Sequence, residues 1–218
     1  MPSDPSRPSQ RPLTRRERRR MEAGAVPRIL TVCTGNICRS PLAEVTLRAQ
    51  LRDLPVQVHS AGTNAMVGHG MTPQAAQLAI NAGADPADAD GHQARYLVEP
   101  MLLEADLVLT MTREHRDAAV QLTPSRFRQV LPLREFGRLA AALPDAQIRA
   151  AAENAGPVPS DRVAAVVAAL VSSRTSEPTP DDDIIDPYRQ PDAVYQQSAD
   201  EMLPAIREVE RVVRLALA

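Results

Sequence analysis

Apolar residues fall into short runs that alternate with longer amphipathic segments. Four short runs are typical of buried strands, at residues 28–32, 56–61, 107–111 and 129–133. Apolar residues with helical spacing predict helices at 41–51, 72–82, 112–122 and 191–216. Because strands alternate with helices, the pattern predicts an α/β fold with a parallel sheet and helices on both faces.

Residues 137–182 depart from this alternation and are rich in Ala and Pro. One amphipathic helix is predicted at 160–171, with Ser160 as N-cap and a buried stripe formed by Val163, Val166, Val167, Leu170 and Val171. The acidic run SEPTPDDD that follows is interpreted as a mobile linker. We therefore predict one domain over residues 27–218 with a helical insertion at about 137–182.

Residues 1–26 form a separate segment of Pro, Ser and Arg, with seven Arg in the first twenty residues. Two interpretations compete: a basic arm for anionic membrane or nucleic acid, and a disordered tail with Met21 as the natural start. The composition favours the tail, so no nucleic-acid partner is expected. No signal peptide is recognisable, and no apolar stretch approaches the roughly 20 residues of a membrane span.

The number and positions of the cysteines limit which disulfide and metal sites the chain can form. The two cysteines, Cys33 and Cys38, lie within one short segment, so they cannot form a disulfide framework. No second ligand pair accompanies them, so a zinc site is not predicted. The chain is therefore expected to be cytoplasmic, with reduced thiols that are available to react, and to bind no metal.

The segment from Cys33 to Ser40 joins a predicted strand to a predicted helix. Main-chain N–H groups in such a loop turn inward and, with the helix N-terminus, bind phosphate or another oxyanion. We expect Gly35 to supply a positive φ, and Arg39 to contribute a planar fork that matches two phosphate oxygens. The same positive field favours Cys33 as a thiolate, which is the nucleophilic form.

Asn36 and Ser40 are interpreted as braces of this loop, and the Ser40 hydroxyl as a donor to the Cys33 sulfur. Ordinary turn and N-cap preferences explain the same two residue types, so both interpretations stay open.

Transfer of phosphate from a phenol also needs a proton donor. The candidates are Asp181, Asp182, Asp183, Asp186 and Asp192. Asp186 is the best placed, because Ile184 and Ile185 can anchor it and Pro187 restricts its backbone. On residue type alone, a simple Asp-Pro turn explains the same sequence equally well.

Five fragments together resemble the low-molecular-weight protein-tyrosine phosphatase family: VCTGNICRSPLAE, HSAGT, GHQAR, ADLVLTMTREH and DPY, in that order along the chain. The resemblance covers about residues 27–135 and 183–216. It implies a flavodoxin-like sheet of four parallel strands and a two-step reaction without metal or cofactor. In that reaction Cys33 is the nucleophile, Arg39 the phosphate clamp and Asp186 the proton donor. The phosphate-binding loop it implies comprises Thr34, Gly35, Asn36, Ile37, Cys38 and Ser40.

The resemblance also assigns residues around the loop. His92 matches a histidine that braces Asn36, and Tyr188 matches an aromatic residue at the mouth of the pocket. Met66 occupies the opposite wall, where some members have Trp. The MVGHG segment that begins at Met66 is similar to bacterial enzymes associated with exopolysaccharide export, which implies a phosphotyrosine protein substrate and a bacterial tyrosine kinase as partner. Related phosphoarginine phosphatases have Thr where this chain has Ile37, so we expect a preference for phenyl rings.

Two other functions are considered. An arsenate reductase on the same scaffold needs further cysteines outside the loop, and the sequence has none. A catalytically inactive phosphotyrosine-binding protein has no need of Cys33, Arg39 and Asp186 together. Whether Cys38 forms a protective disulfide with Cys33 or is a core residue stays open.

Overall fold

A computed structural model describes residues 26–175 and 178–218. Its centre is one sheet, with strands β1 (Arg28–Cys33), β2 (Gln57–Gly62), β3 (Leu107–Thr110) and β4 (Val130–Pro132). All neighbouring strands are parallel, in the order β2-β1-β3-β4. The predicted four-stranded parallel sheet is confirmed, and each strand lies within two residues of its predicted bounds.

Helices connect and cover these strands. In chain order they are α1 (Arg39–Gln50), α2 (Pro73–Asn81), α3 (Pro86–Asp90), α4 (Glu99–Glu104), α5 (Arg113–Leu122), α6 (Leu133–Ala142), α7 (Asp145–Asn154), α8 (Pro159–Ser172) and α9 (Asp192–Leu217). The four long helices predicted around the sheet are confirmed within two residues. The sequence pattern missed α3 and α4 because five or six residues are too few for a helical period to show.

Alternating side chains of the sheet build two cores. In β1, Ile29 and Cys33 belong to the larger core, which lies under α1, α6 and α9. Leu30 and Val32 point to the other face and pack with residues of α4 and α5. This period of two is the one expected of a strand buried on both faces. Because all four strands run the same way, their carboxyl ends meet at one edge, where the candidate site lies.

Residues 137–182 contain more helix than predicted. The predicted helix is present as α8, but its N-cap is Val158 and not Ser160, because Pro159 occupies the first helical position. Val171, predicted in the buried stripe, is only half-buried. The sequence analysis missed α7 because its only large apolar residue is Ile148. Ile148 is nevertheless fully buried in the same core as the stripe of α8.

The acidic run after α8 makes defined contacts. A single 3-10 turn spans Pro180–Asp182, and Asp182 is buried beside Arg138 at 3.2 Å. The expected mobile linker is therefore wrong for this turn. Two segments lie outside the described residues: residues 176 and 177, and residues 1–25 of the tail predicted at 1–26. Among the helices that the structure describes, none is long and apolar enough to cross a membrane.

Candidate active site

The loop between β1 and α1 has the shape of an anion cradle, with one correction to the prediction. The positive φ belongs to Asn36, at 55°, and not to Gly35. Asn tolerates the left-handed region better than most residues with a Cβ. A Cβ on Gly35 would lie 3.4 Å from Ile37 and 3.8 Å from Met66, so this glycine borders the pocket without crowding it.

Hydrogen-bond donors surround the sulfur of Cys33. The main-chain N–H of Asn36 donates to Sγ at 3.2 Å, which shows that at least this amide points inward. The hydroxyl of Ser40 lies 3.0 Å from the same sulfur. Donors at these positions stabilise a thiolate more than a thiol, because they meet a full negative charge.

Asn36 connects the loop to the sheet. Its side-chain Nδ2 donates to Ser40 Oγ at 3.0 Å and to Ser60 Oγ at 2.7 Å. Its Oδ1 accepts from the main-chain N–H of Arg95 at 2.9 Å. Since Asn36 is fully buried, these bonds are shielded from water and hold the loop in its unusual conformation.

A buried carboxylate extends this network. Ser60 donates to Glu44, and the ring of His92 bridges Glu44 and the loop, with Nδ1 3.4 Å from Glu44 Oε2 and Nε2 2.8 Å from the carbonyl oxygen of Asn36. Burial raises the pKa of Glu44, but the hydrogen bond from His92 and the charge of Arg48 outweigh it, and the pKa is lowered. Glu44 therefore stays an acceptor.

The structure thus places His92 against Asn36, where the resemblance puts it. Glu44 and Ser60 had no role in the sequence analysis. Both lie inside fragments that carry the resemblance, VCTGNICRSPLAE and HSAGT, and that was the available signal. A local pattern does not show that a charged residue such as Glu44 is buried.

Arg39 joins the loop to a distant segment of the chain. The guanidinium is 5% exposed; its Nη1 donates to the carbonyl oxygen of Ile184 at 3.0 Å, and its Nη2 lies 2.7 Å from Asp186 Oδ2. These contacts use two of the five N–H groups of an arginine. The remaining donors are available to an oxyanion over the loop.

The segment that carries Asp186 is fixed to the sheet. The N–H of Ile184 donates to the carbonyl oxygen of Met111 at 2.9 Å, directly after β3. Ile184 is 1% exposed and anchors the segment as predicted, whereas Ile185 is 38% exposed and does not. Asp186 Oδ1 accepts from the N–H of Tyr188 at 3.1 Å, which orients the carboxyl group.

A cavity of about 180 Å³ opens over the sulfur. Its walls contain nine of the predicted residues, together with Asn64: Cys33, Thr34, Gly35, Ile37, Cys38, Arg39, Met66, Asp186 and Tyr188. Asn36, Ser40 and His92 lie behind this surface and support it. In the described part of the chain, no three His, Cys, Asp or Glu side chains form a group that could hold a metal ion.

His115 is a site residue that the sequence analysis missed. Its Nε2 lies 2.8 Å from Thr34 Oγ1, and its Nδ1 lies 2.8 Å from Thr112 Oγ1. Burial, together with the nearby charge of Arg39, lowers the pKa of His115 to about 4. A neutral imidazole therefore supports the loop from the start of α5. The only signal was its place in ADLVLTMTREH.

This lowered pKa predicts how stability depends on pH. Unfolded His115 takes up a proton below about pH 6.5 and the folded form only below about 4, so the unfolded state binds more protons in between. We expect the free energy of unfolding to fall by about 1.5 kcal/mol between pH 6.5 and 5. His59, whose pKa burial also lowers, adds a smaller fall.

Denaturant titrations of a His115→Gln variant at several pH values would measure this effect. The variant should lose most of the fall, whereas exposed His69→Gln should keep it. Acidic groups whose pKa is lowered in the folded state, such as Glu44, reduce the free energy of unfolding only at lower pH. They therefore do not mask the effect of His115 between pH 6.5 and 5. An unchanged pH profile in His115→Gln would contradict the neutral buried imidazole.

The Cys38 thiol has hydrogen-bond partners other than those of Cys33. Its Sγ lies 3.5 Å from Thr72 Oγ1 and 3.8 Å from the hydroxyl of Tyr195. Burial raises the pKa of the Cys38 thiol, although these two hydrogen bonds oppose the shift. Both cysteines are free thiols, and the two interpretations of Cys38, a disulfide partner of Cys33 or a core residue, both stay open.

Comparisons with known proteins agree with this geometry. The sequence profile of "Low molecular weight phosphotyrosine protein phosphatase" matches residues 28–147. The phosphatase Etp of Escherichia coli K12 is 42% identical over 96 residues, which are 44% of this chain and 62% of Etp. The chain thus matches less than two thirds of the length of this relative.

Solved structures share the fold. The tyrosine phosphatase AmsI of Erwinia amylovora superimposes with a TM-score of 0.59 at 23% identity, over 84% of this chain and 90% of AmsI. The arginine phosphatase YwlE of Geobacillus stearothermophilus does so with a TM-score of 0.58 at 28% identity, over 84% of this chain and 90% of YwlE.

Proposed function

The chain belongs to the low-molecular-weight phosphotyrosine protein phosphatase family, and on this premise we propose that it hydrolyses phosphotyrosine in proteins. One observation carries the proposal: the loop that surrounds Cys33 Sγ with donors also holds Arg39 within 2.7 Å of Asp186. Nucleophile, phosphate ligand and proton donor thereby border one cavity.

The first step in this proposal is binding of the phosphate dianion. The loop amides and the free N–H groups of Arg39 donate hydrogen bonds to the phosphate oxygens. Main-chain amides cannot move away when charge develops, so they are organised before the reaction begins. The network of Asn36, Ser60 and Glu44 keeps them in this position.

The second step transfers the phosphoryl group. The Cys33 thiolate attacks phosphorus, an S–P bond forms, and the bond from phosphorus to the phenol oxygen breaks. Asp186 gives its proton to that oxygen, so tyrosine leaves as a neutral phenol. The carboxyl group is 52% exposed at the mouth of the cavity, where the leaving oxygen has to lie.

The last step releases phosphate. Asp186, now a carboxylate, takes a proton from water, and the water oxygen attacks phosphorus while the S–P bond breaks. The sulfur departs as a thiolate, which the Ser40 hydroxyl at 3.0 Å stabilises. Phosphate leaves and Cys33 returns to its starting state, so the cycle needs no cofactor.

The walls of the cavity favour an aromatic substrate. Ile37 and Met66 supply apolar surface, and Tyr188 offers an aromatic ring for stacking. A guanidinium group placed against Ile37 would lose water without gaining a hydrogen bond from that side chain. The structural likeness to YwlE nevertheless makes phosphoarginine the substrate to test against phosphotyrosine.

A hydrolysis panel tests the proposed reaction. Peptides with phosphotyrosine, phosphoserine or phosphoarginine are supplied to the purified protein, and kcat/KM is measured from phosphate release. We expect phosphotyrosine to be hydrolysed at least about tenfold faster than the others, because only its ring fills the apolar walls. Faster hydrolysis of phosphoarginine would contradict the role of Ile37. No release from any peptide would leave a binding protein as the better description.

The same proposal covers location and partner. We place the protein in the cytoplasm, where a reduced Cys33 persists. Its substrate is then a protein that a bacterial tyrosine kinase phosphorylates. The MVGHG segment supports this assignment.

A further inference from the structure

The backbone at Arg189 is strained. The N–H of Gln190 donates to the carbonyl oxygen of Pro187 at 2.9 Å and closes a turn in which Arg189 is the third residue. Its φ is 61°, a value that turns of this kind usually assign to Gly or Asn. In the described part of the chain, the only other non-glycine residue with positive φ is Asn36, in the anion cradle. Such strain is typical of functional positions.

The turn directs the Arg189 side chain to the rim of the cavity. Its guanidinium carbon lies 5.2 Å from the centre of the Tyr188 ring, within the range of a cation–π contact. Tyr188 and Asp186 line the cavity mouth, so the charge of Arg189 stands beside the entrance. The residue itself is exposed.

Among the described residues, no carboxylate neutralises the charge of Arg189. Within residues 26–175 and 178–218, no carboxylate lies within 4.0 Å of the Arg189 guanidinium. Two other arginines at the acid segment do pair with a carboxylate: Arg39 with Asp186, and Arg113 with Asp183 at 3.0 Å. Arg189 therefore has no carboxylate partner among the described residues and can pair with an acidic group of a ligand.

We propose that Arg189 selects substrates with an acidic side chain next to the phosphotyrosine, an inference that rests on the proposed function. The cavity of about 180 Å³ holds little more than the phosphate and ring, so flanking residues of the substrate lie on the rim. An aspartate or glutamate there pairs with the guanidinium. Stacking on Tyr188 keeps the guanidinium in place, which reduces the entropy lost on pairing.

Matched peptides test this specificity. Two phosphotyrosine peptides differ only in Glu or Gln beside the phosphotyrosine, and the ratio of their kcat/KM values is measured. We expect wild type to favour the Glu peptide by about two- to fivefold, within the range of an exposed ion pair. Arg189→Gln should bring the ratio close to one. The preference of wild type should also shrink as salt is raised.

The chain offers a matched control in Arg128. Its guanidinium carbon lies 5.4 Å from the Phe127 ring, the same kind of contact, but just before β4 and so at the opposite edge of the sheet. Arg128→Gln should keep both the activity and the ratio of wild type. Arg189→Gly provides a second readout: it should raise the melting temperature by relieving strain and still lose the preference.

The outcomes are distinct. Equal kcat/KM for the Glu and Gln peptides in active wild type, or a preference that survives in Arg189→Gln, would overturn the role of Arg189. A preference that Arg128→Gln loses as well would show a general charge effect and would also overturn it. Wild type that hydrolyses neither peptide nor phenyl phosphate would refute the phosphatase activity itself. A third peptide has a second phosphotyrosine in place of Glu. Comparing its kcat/KM with that of the Glu peptide shows whether Arg189 prefers a phosphate or a carboxylate beside the phosphotyrosine.

Discussion

Replacing Cys33 with serine should lower phosphate release from phosphotyrosine by at least about 10⁴-fold, because the S–P intermediate can no longer form. Serine keeps the size of the side chain, and its hydroxyl can still meet Ser40 Oγ and the N–H of Asn36, the two partners of the sulfur. Release is measured with a phosphotyrosine peptide at saturating concentration.

Binding by the same variant serves as its control. Arg39 and the loop amides are unchanged, so Cys33→Ser should still bind the peptide, with a Kd within about tenfold of the wild-type KM. Calorimetry measures this affinity directly. Lost binding would mean that the substitution disturbs the loop, whereas unchanged phosphate release would refute Cys33 as nucleophile.

Replacing Asp186 with asparagine should lower kcat for phosphotyrosine by about 10²- to 10⁴-fold, the usual contribution of a general acid. Asparagine retains an acceptor for the N–H of Tyr188, so the segment should keep its shape. The loss should shrink for an aryl phosphate whose ring withdraws electrons, because that phenolate leaves without a proton. Steady-state kinetics with both substrates measure the difference.

Asp181 is the matched control for this experiment. It belongs to the same acidic run but is exposed, and Asp181→Asn should behave as wild type. An equal loss for both substrates in Asp186→Asn would contradict proton donation and would instead point to the ion pair with Arg39 as the important contact. A full loss in Asp181→Asn would show that the acid was assigned to the wrong residue.

Local sequence patterns predicted the sheet and the loop well, because both depend on short-range chemistry. The run Arg28–Val32 reads as a strand from its β-branched residues, and Pro41 marks the first turn of the following helix. Asp186 was harder, since an Asp-Pro turn gives the same local sequence. Its contact with Arg39 spans nearly 150 residues, and only the fold brings the two together.

Other features could not be predicted from the sequence, because they too depend on contacts between distant segments of the chain. The exposed Asn64 gave no sign that it borders the cavity, and Glu44 looks like an ordinary helical surface residue. Asn36 adopts the left-handed conformation that was predicted for Gly35, because hydrogen bonds from the Asn36 side chain compensate the backbone strain. Such compensation depends on Ser60 in the neighbouring strand, which local patterns do not report.

Helices α7 and α8 have a consequence for anyone who shortens this protein. Ile148 of α7 and Leu170 of α8 share one hydrophobic core with Phe136 and with Val209 of the last helix. Trimming the chain to the size of its smaller relatives would therefore uncover the interior instead of removing an appendage. Both helices are part of the core structure, and any shorter version would need a redesigned surface along α9.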